Sequence, residues 1–171
     1  MPFLHACVHY IDAFTERSGQ LLAWLALGMA LMTTLVVVLR YGFNIGSIAA
    51  QESVTYMHGS LFLLGAAYAL KSGAHVRVDI FYRGFSARTK AWVNSVGGIV
   101  FLLPLCVFIL MSSWDYAGES WSMFETSAEP GGIPAVFLLK SLVPLMAITL
   151  ALQGIAEILR NALILVEGEA P

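Results

Sequence analysis

Four long apolar runs, each about the length of a bilayer crossing, dominate this sequence and decide most of what it can fold into. They are residues 20–39, 52–70, 93–113 and 134–159. A helix rises about 1.5 Å per residue and the hydrocarbon core is about 30 Å thick, so about 20 apolar residues suffice for a crossing. The expected fold is an all-α integral membrane protein of four transmembrane helices with short interfacial helices, forming one domain over residues 1–171. Of the chain, 58% is hydrophobic and only 12% charged. A soluble domain carries about twice that share of charge. The first run, Gln20–Leu39, exceeds a signal-peptide core and ends in Arg40-Tyr41 instead of small residues, so it is expected to be retained.

The connections between runs differ in charge. Lys71, Arg77, Arg83, Arg88 and Lys90 lie between the second and third runs, against a single Asp79. Asp115, Glu119, Glu125 and Glu129 lie between the third and fourth, with no Lys or Arg before Lys140. Basic connections stay in the cytoplasm, so both termini are expected to be cytoplasmic and residues 114–133 to form a periplasmic acidic loop. Arg40, on the short outer connection, is the one dissenter. The stretch 76–92 reads as a cytoplasmic interfacial helix with Val78, Phe81, Tyr82 and Phe85 on one side, and the alternation His75-Val76-Arg77-Val78-Asp79 also permits an extended entry. Its basic residues suit anionic headgroups, so membrane lipids are expected partners. At the outer surface, Ile48–Gln51 is expected to form a short helical turn in the interface before the second crossing. Trp114, Tyr116 and Trp121 suit the membrane boundary, and Pro134 suits a helix start. Pro104 and Pro144 fall inside runs, where they mark kinks or helix contacts.

Ionisable side chains inside a membrane are the natural functional suspects. His58 is the deepest, on a helical stripe of Gln51, Thr55, His58, Phe62, Gly65 and Ala69. The stripe is either a proton relay or haem ligand face, or a polar and small-residue face packed on another helix, with Gly65 allowing close approach. Packing is favoured, because His5, His9 and His75 all lie outside the runs and leave His58 without a second haem ligand. His5, Cys7 and His9 alternate as metal ligands on an extended segment would, but a structural site takes four ligands. Cys7 and Cys106 are too differently placed to pair. Glu119, Glu125 and Glu129 read as a solvated acidic face, and Lys140 as snorkelling outward or meeting a carboxylate of that loop. No catalytic site, cofactor or metal is expected. With a net charge of −2 and no basic stripe, neither is nucleic acid.

Several stretches together carry a family resemblance: Leu39-Arg40-Tyr41-Gly42-Phe43-Asn44, Gln51-Glu52-Ser53-Val54-Thr55-Tyr56, Leu64–Leu70, His75-Val76-Arg77-Val78-Asp79, Ser120-Trp121, Glu125-Thr126-Ser127, Pro134, Lys140 and Gln153-Gly154. In order and spacing the chain resembles the small (DctQ-like) membrane subunit of tripartite ATP-independent periplasmic (TRAP) transporters, from about Gln20 to Arg160. The resemblance implies a scaffolding subunit in a bacterial inner membrane. It would brace a large sodium-coupled carrier subunit and help dock a periplasmic substrate-binding protein during organic-acid uptake. Sodium would belong to the carrier, not to this chain. By position, Arg40, Glu52, His75, Arg77 and Asp79 would be architectural. Ile48–Gln51 lacks the tryptophan that many members carry there, and with Glu129–Pro134 it looks like the branch associated with 2-oxoacids. Two other functions are disfavoured by the residues. A self-sufficient four-span homodimeric exporter needs a buried acidic residue early, and Gln20–Leu39 has none. An oxidoreductase membrane anchor needs paired histidines or a quinone pocket.

Overall fold

A computed structural model describes residues 2–75 and 82–167. The segment 76–81, with Arg77, Asp79 and the first part of the expected interfacial helix, lies outside the described residues. Four helical rods, each running opposite to the one before, make up the rest. The first, α1 (Pro2–Gly42), is 41 residues long. That is roughly 60 Å, about twice the hydrocarbon thickness. His5, Cys7 and His9 are therefore helical instead of extended: the two histidines sit a turn apart, and Cys7 is about 200° round the axis.

Asn44 turns the chain with a left-handed φ of 53°. Ser47 then caps α2 (Ile48–Lys71) by accepting from Ala50 N at 3.3 Å. Ile48–Gln51 is thus the first turn of α2 itself, not a separate interfacial turn. At the other end Gly73, at φ +67°, stops the helix while Ala74 N bonds back to Ala69 O at 2.9 Å.

The described part of 76–92 is not one helix either. Phe85 N bonds Tyr82 O in a turn, and Ser86 accepts from Thr89 N at 3.2 Å to start α3 (Ala87–Gly97). Trp92 consequently belongs to the long third rod. That rod continues through a π turn (Gly98–Leu102) into α4 (Leu103–Ser122). Pro104 explains the wide turn, since its ring would clash with the carbonyl four residues back and it has no N–H to give. The rod runs to Ser122, so Trp114, Tyr116 and Trp121 are helical, not part of a loop. The last helix, α5 (Val136–Glu167), carries Pro144 inside it, buried beside Ala117 of α4.

Helix α5 is the hub: it touches α1, α2, α3 and α4. Its buried side includes the small residues Ala147, Gly154 and Ala156 beside Leu150 and Leu163, and Ala67, Ala91 and Ala117 are buried on the rods it touches. Small residues allow the close backbone approach that drives association in lipid, where apolar surface alone gives no preference for protein over acyl chains. Three rods, Phe3–Gly42, Ala87–Ser122 and Val136–Val166, are long and apolar enough to cross a membrane. Helix α2, at 24 residues, has the length but carries Gln51, Glu52, Thr55, His58 and Ser60.

Two glycines separate internal from external packing. A Cβ on Gly19 would come within 2.3 Å of the Tyr68 ring, whereas one on Gly65 would meet nothing within 4 Å. Gly19→Ala should therefore lower thermal stability in detergent by about 1–3 kcal/mol through overpacking. Gly65→Ala should leave the melting temperature of the isolated chain unchanged.

Candidate functional site

Two polar clasps tie the rods together, one at each end. At the basic end the centre is Gln153 of α5, fully buried. Its Nε2 donates to Asp12 Oδ1 at 3.0 Å, and Thr15 Oγ1 donates to its Oε1 at 2.8 Å. Arg160 donates to both Asp12 and Glu157 at 2.5 Å. One turn along α1, Glu16 takes Lys71 of α2 at 2.6 Å and Gln20 at 2.9 Å. On the far side of α5, Tyr82 OH donates to Asn94 Oδ1 at 3.0 Å, and Asn94 reaches Asn161 at 3.4 Å. A polar group without a partner costs several kcal/mol in hydrocarbon, and these groups satisfy one another across helices.

At the acidic end the centre is Glu52 of α2. Its carboxylate accepts from the Ser127 hydroxyl and from Ile133 N at 2.6 Å, and Ser127 in turn takes Glu129 N at 3.1 Å. Gly132 fits here because it has no Cβ: one would stand 2.8 Å from Glu52 Oε1 and 2.4 Å from Ser127 Oγ. Lys140 of α5 donates to Glu125 at 2.5 Å and lies 4.3 Å over the Tyr116 ring. Trp121 Nε1 donates to Ser141 Oγ at 2.7 Å, and Phe137 packs between the Trp121 and Phe124 rings, at 4.6 and 5.8 Å. Phe124 holds a left-handed φ of 47°, a conformation that persists only where surrounding contacts impose it. Glu125 is thus a structural anchor and not part of a solvated face, while Glu119 and Glu129 are exposed. The Lys140 ammonium holds the Glu125 carboxyl below the usual range.

The remaining sequence candidates sit apart. Arg40 is exposed at the end of α1, beside a hollow rimmed by Asn44, Ser47 and Gln51. His58 is exposed and stacks on Phe62, with ring centroids 6.2 Å apart. His75, just past α2, has Nε2 at 3.3 Å from Ala66 O. His58, Gly65 and His75 line a single groove of about 710 Å³ between α1 and α2. The stripe read as packed on another helix is thus uncovered among the described residues. Asp12, Thr15 and Glu16 went unnoticed in the sequence, although their spacing of three and four residues is the signature of one helical face.

Residues 29–163 match the family model for tripartite ATP-independent periplasmic transporters, DctQ component. The chain belongs to that family. It is similar to the C4-dicarboxylate TRAP transporter small permease protein DctQ of Vibrio cholerae serotype O1, with 27% identity over 131 residues, covering 72% of this chain and 54% of the relative. A Haemophilus influenzae protein provisionally named a TRAP transporter small permease protein is 34% identical over 89 residues, covering 50% of this chain and 55% of that one. The chain spans about half the length of the curated relatives it matches. No solved structure matches it. The match takes in all of α2, α3 and α4, and with them Glu52, Glu125 and Lys140 of the acidic clasp.

Arg160→Met leaves Asp12 and Glu157 facing each other uncompensated, and should destabilise the purified subunit by about 1–3 kcal/mol in thermal unfolding. The acidic clasp has its own pH signature. Because the Glu125 carboxyl is lowered in the folded chain, its contribution is present above the ordinary carboxylate range and lost as pH falls through the lowered value. Proteolysis within residues 123–135 should accelerate as pH drops below about 4. Glu125→Gln should weaken that dependence, leaving the part carried by the Glu52 carboxylate that holds Ser127 and Ile133.

Proposed function

We propose that this chain is the scaffolding subunit of a secondary-active, sodium-coupled TRAP transporter for organic-acid uptake in a bacterial inner membrane. In this reading it braces the large carrier subunit and helps dock the periplasmic substrate-binding protein. Four helices span the membrane, with both termini in the cytoplasm, and sodium is handled by the carrier.

The observation that carries the reading is how the charged side chains of the bundle are used. Asp12, Glu16, Lys71, Arg160, Glu52, Glu125 and Lys140 are engaged in cross-links between elements. A mobile carrier needs ion and substrate ligands that change partners; a brace needs bonds that do not. The ordered 123–135 segment, with exposed Glu129 and Phe124, offers a firm surface for a soluble partner. The Vibrio cholerae relative is named for C4-dicarboxylates, which supports carboxylates as the substrate class. The narrower 2-oxoacid assignment rests on the Ile48–Gln51 and Glu129–Pro134 stretches.

Co-expressed with the large membrane subunit of its system, the chain should co-purify with it in detergent. Reconstituted alone in liposomes, it should move no organic acid. Uptake by the isolated chain, or failure to recover the complex, overturns the scaffold reading. For topology, single cysteines near Glu129 should react with an impermeant maleimide in intact cells, and cysteines near Arg88 only after the cells are broken.

A further inference from the structure

The outer segment 123–135 has an order that its own composition does not supply. No residue of it is buried, and only Glu125, Ser127, Gly132, Ile133 and Ala135 are half-buried. Burial of apolar surface is what ordinarily offsets the entropy lost when a segment is fixed, and here it is nearly absent. A connection of this length without secondary structure is as a rule either functional or disordered. Yet three backbone bonds close it into a loop: Val136 N to Glu125 O at 3.0 Å, Ser127 N to Ile133 O at 3.2 Å and Gly132 N to Glu129 O at 3.0 Å. Phe124 meanwhile keeps its left-handed φ of 47°, and backbone strain of that kind gathers at functional sites.

Two charged side chains from outside the segment hold the loop. Lys140 takes Glu125 at its base. Glu52 comes from a different helix and reaches the middle: one carboxylate oxygen accepts from the Ser127 hydroxyl and the other from Ile133 N at 2.6 Å. Ser127 and Ile133 stand on opposite arms of the loop, so this one carboxylate pins both arms at once. Gly132 leaves the room for it, since a Cβ there would stand 2.8 Å from Glu52 Oε1. Most of the half-buried residues gather around these two charges, while Met123, Phe124 and Glu129 are exposed.

We infer that Glu52 is a positioning residue for docking: its carboxylate moulds 123–135 into the shape in which the segment meets the soluble substrate-binding protein. This rests on the docking role proposed above and adds the residue that sets the docking surface. Glu52 acts through the loop and not by touching the binding protein. An ionised carboxylate suits the task, because its hydrogen bonds are roughly twice as strong as neutral ones. A loop held in its bound form beforehand does not have to be ordered at the moment of contact, and affinity rises accordingly.

The test is the affinity of the fluorescently labelled substrate-binding protein for the whole transporter in nanodiscs. Glu52→Ala should raise the dissociation constant by about five- to twenty-fold, the cost of ordering a few loop side chains on contact, with recovery of the large subunit unchanged. Gly132→Ala disrupts the same clasp from the loop side and should do likewise. The two changes together should cost no more than either alone, because they remove one interaction. Glu52→Gln, which accepts from Ile133 N and donates to Ser127 Oγ, should restore most of the affinity. Full affinity with both Glu52→Ala and Gly132→Ala, or additive losses when they are combined, overturns the assignment. Loss of the large subunit from the Glu52→Ala complex overturns it too, since Glu52 would then serve assembly. Met123→Glu and Glu129→Lys change the exposed surface and leave the clasp alone. If neither alters the affinity, it is the docking reading that fails; if they weaken it while Glu52→Ala does not, only the positioning role falls.

Discussion

The side chain of Gln153 is wholly buried and bonded on both sides by α1, to Asp12 through its nitrogen and Thr15 through its oxygen. Around that bond Arg160 holds Asp12 and Glu157, and a turn away Lys71 holds Glu16. The other polar features depend on this arrangement. Apolar surface gives helices in lipid little reason to prefer one another, so the register of the bundle is set where polar groups must find partners. With α5 fixed against α1 at one end, its other end presents Lys140 and Ser141 to Glu125 and Trp121. Glu52 of α2 is placed to receive the backbone of Ile133. The two clasps face opposite ends of one central helix and together suit a rigid brace.

The membrane character and the helical class were legible because hydropathy over 20 residues is a strong signal, and lipid leaves the backbone few choices. Helix boundaries were less legible. Residues 2–19 precede the first apolar run, and the alternation of His5, Cys7 and His9 reads as extended. Asp12, Thr15 and Glu16 in fact face α5 and α2 within one continuous helix. Ser86 falls inside the stretch 76–92 read as one helix, and its role as a cap, like that of Ser47, fixes helix starts that hydropathy smears by several residues.

Site residues divide by the same logic. Lys140 announced itself as a charge in an apolar run, and of the two fates expected for it, pairing with a loop carboxylate is the one observed. Glu52 sat in plain view, yet nothing in sequence order links it to Ser127 or Ile133, which lie 75 and 81 residues away. Asp12 and Gln153 are farther apart still, at 141 residues. Long-range polar pairing of this kind depends on how helices are arranged, and a single sequence records only which faces are polar. His58 is the converse. Its stripe was plain, but that α1 and α5 pack against other parts of α2 and leave it open among the described residues required the arrangement of the helices.

The π turn at Gly98–Leu102 amounts to one residue more than an α-helix of the same rise needs, with Leu103 N reaching back to Gly98 O. The surplus is confined to that turn, so Ala91 and Ser95 before it and Cys106, Ser113 and Ala117 after it all keep buried faces. Elsewhere in this rod, losing a residue would swing everything downstream by about 100° and turn its small face away from α5. Within 98–102 the same loss would close the wide turn onto Pro104, whose ring requires it open. The wide turn is thus what lets a proline sit inside this rod while the small faces before and after it stay on one side, against α5.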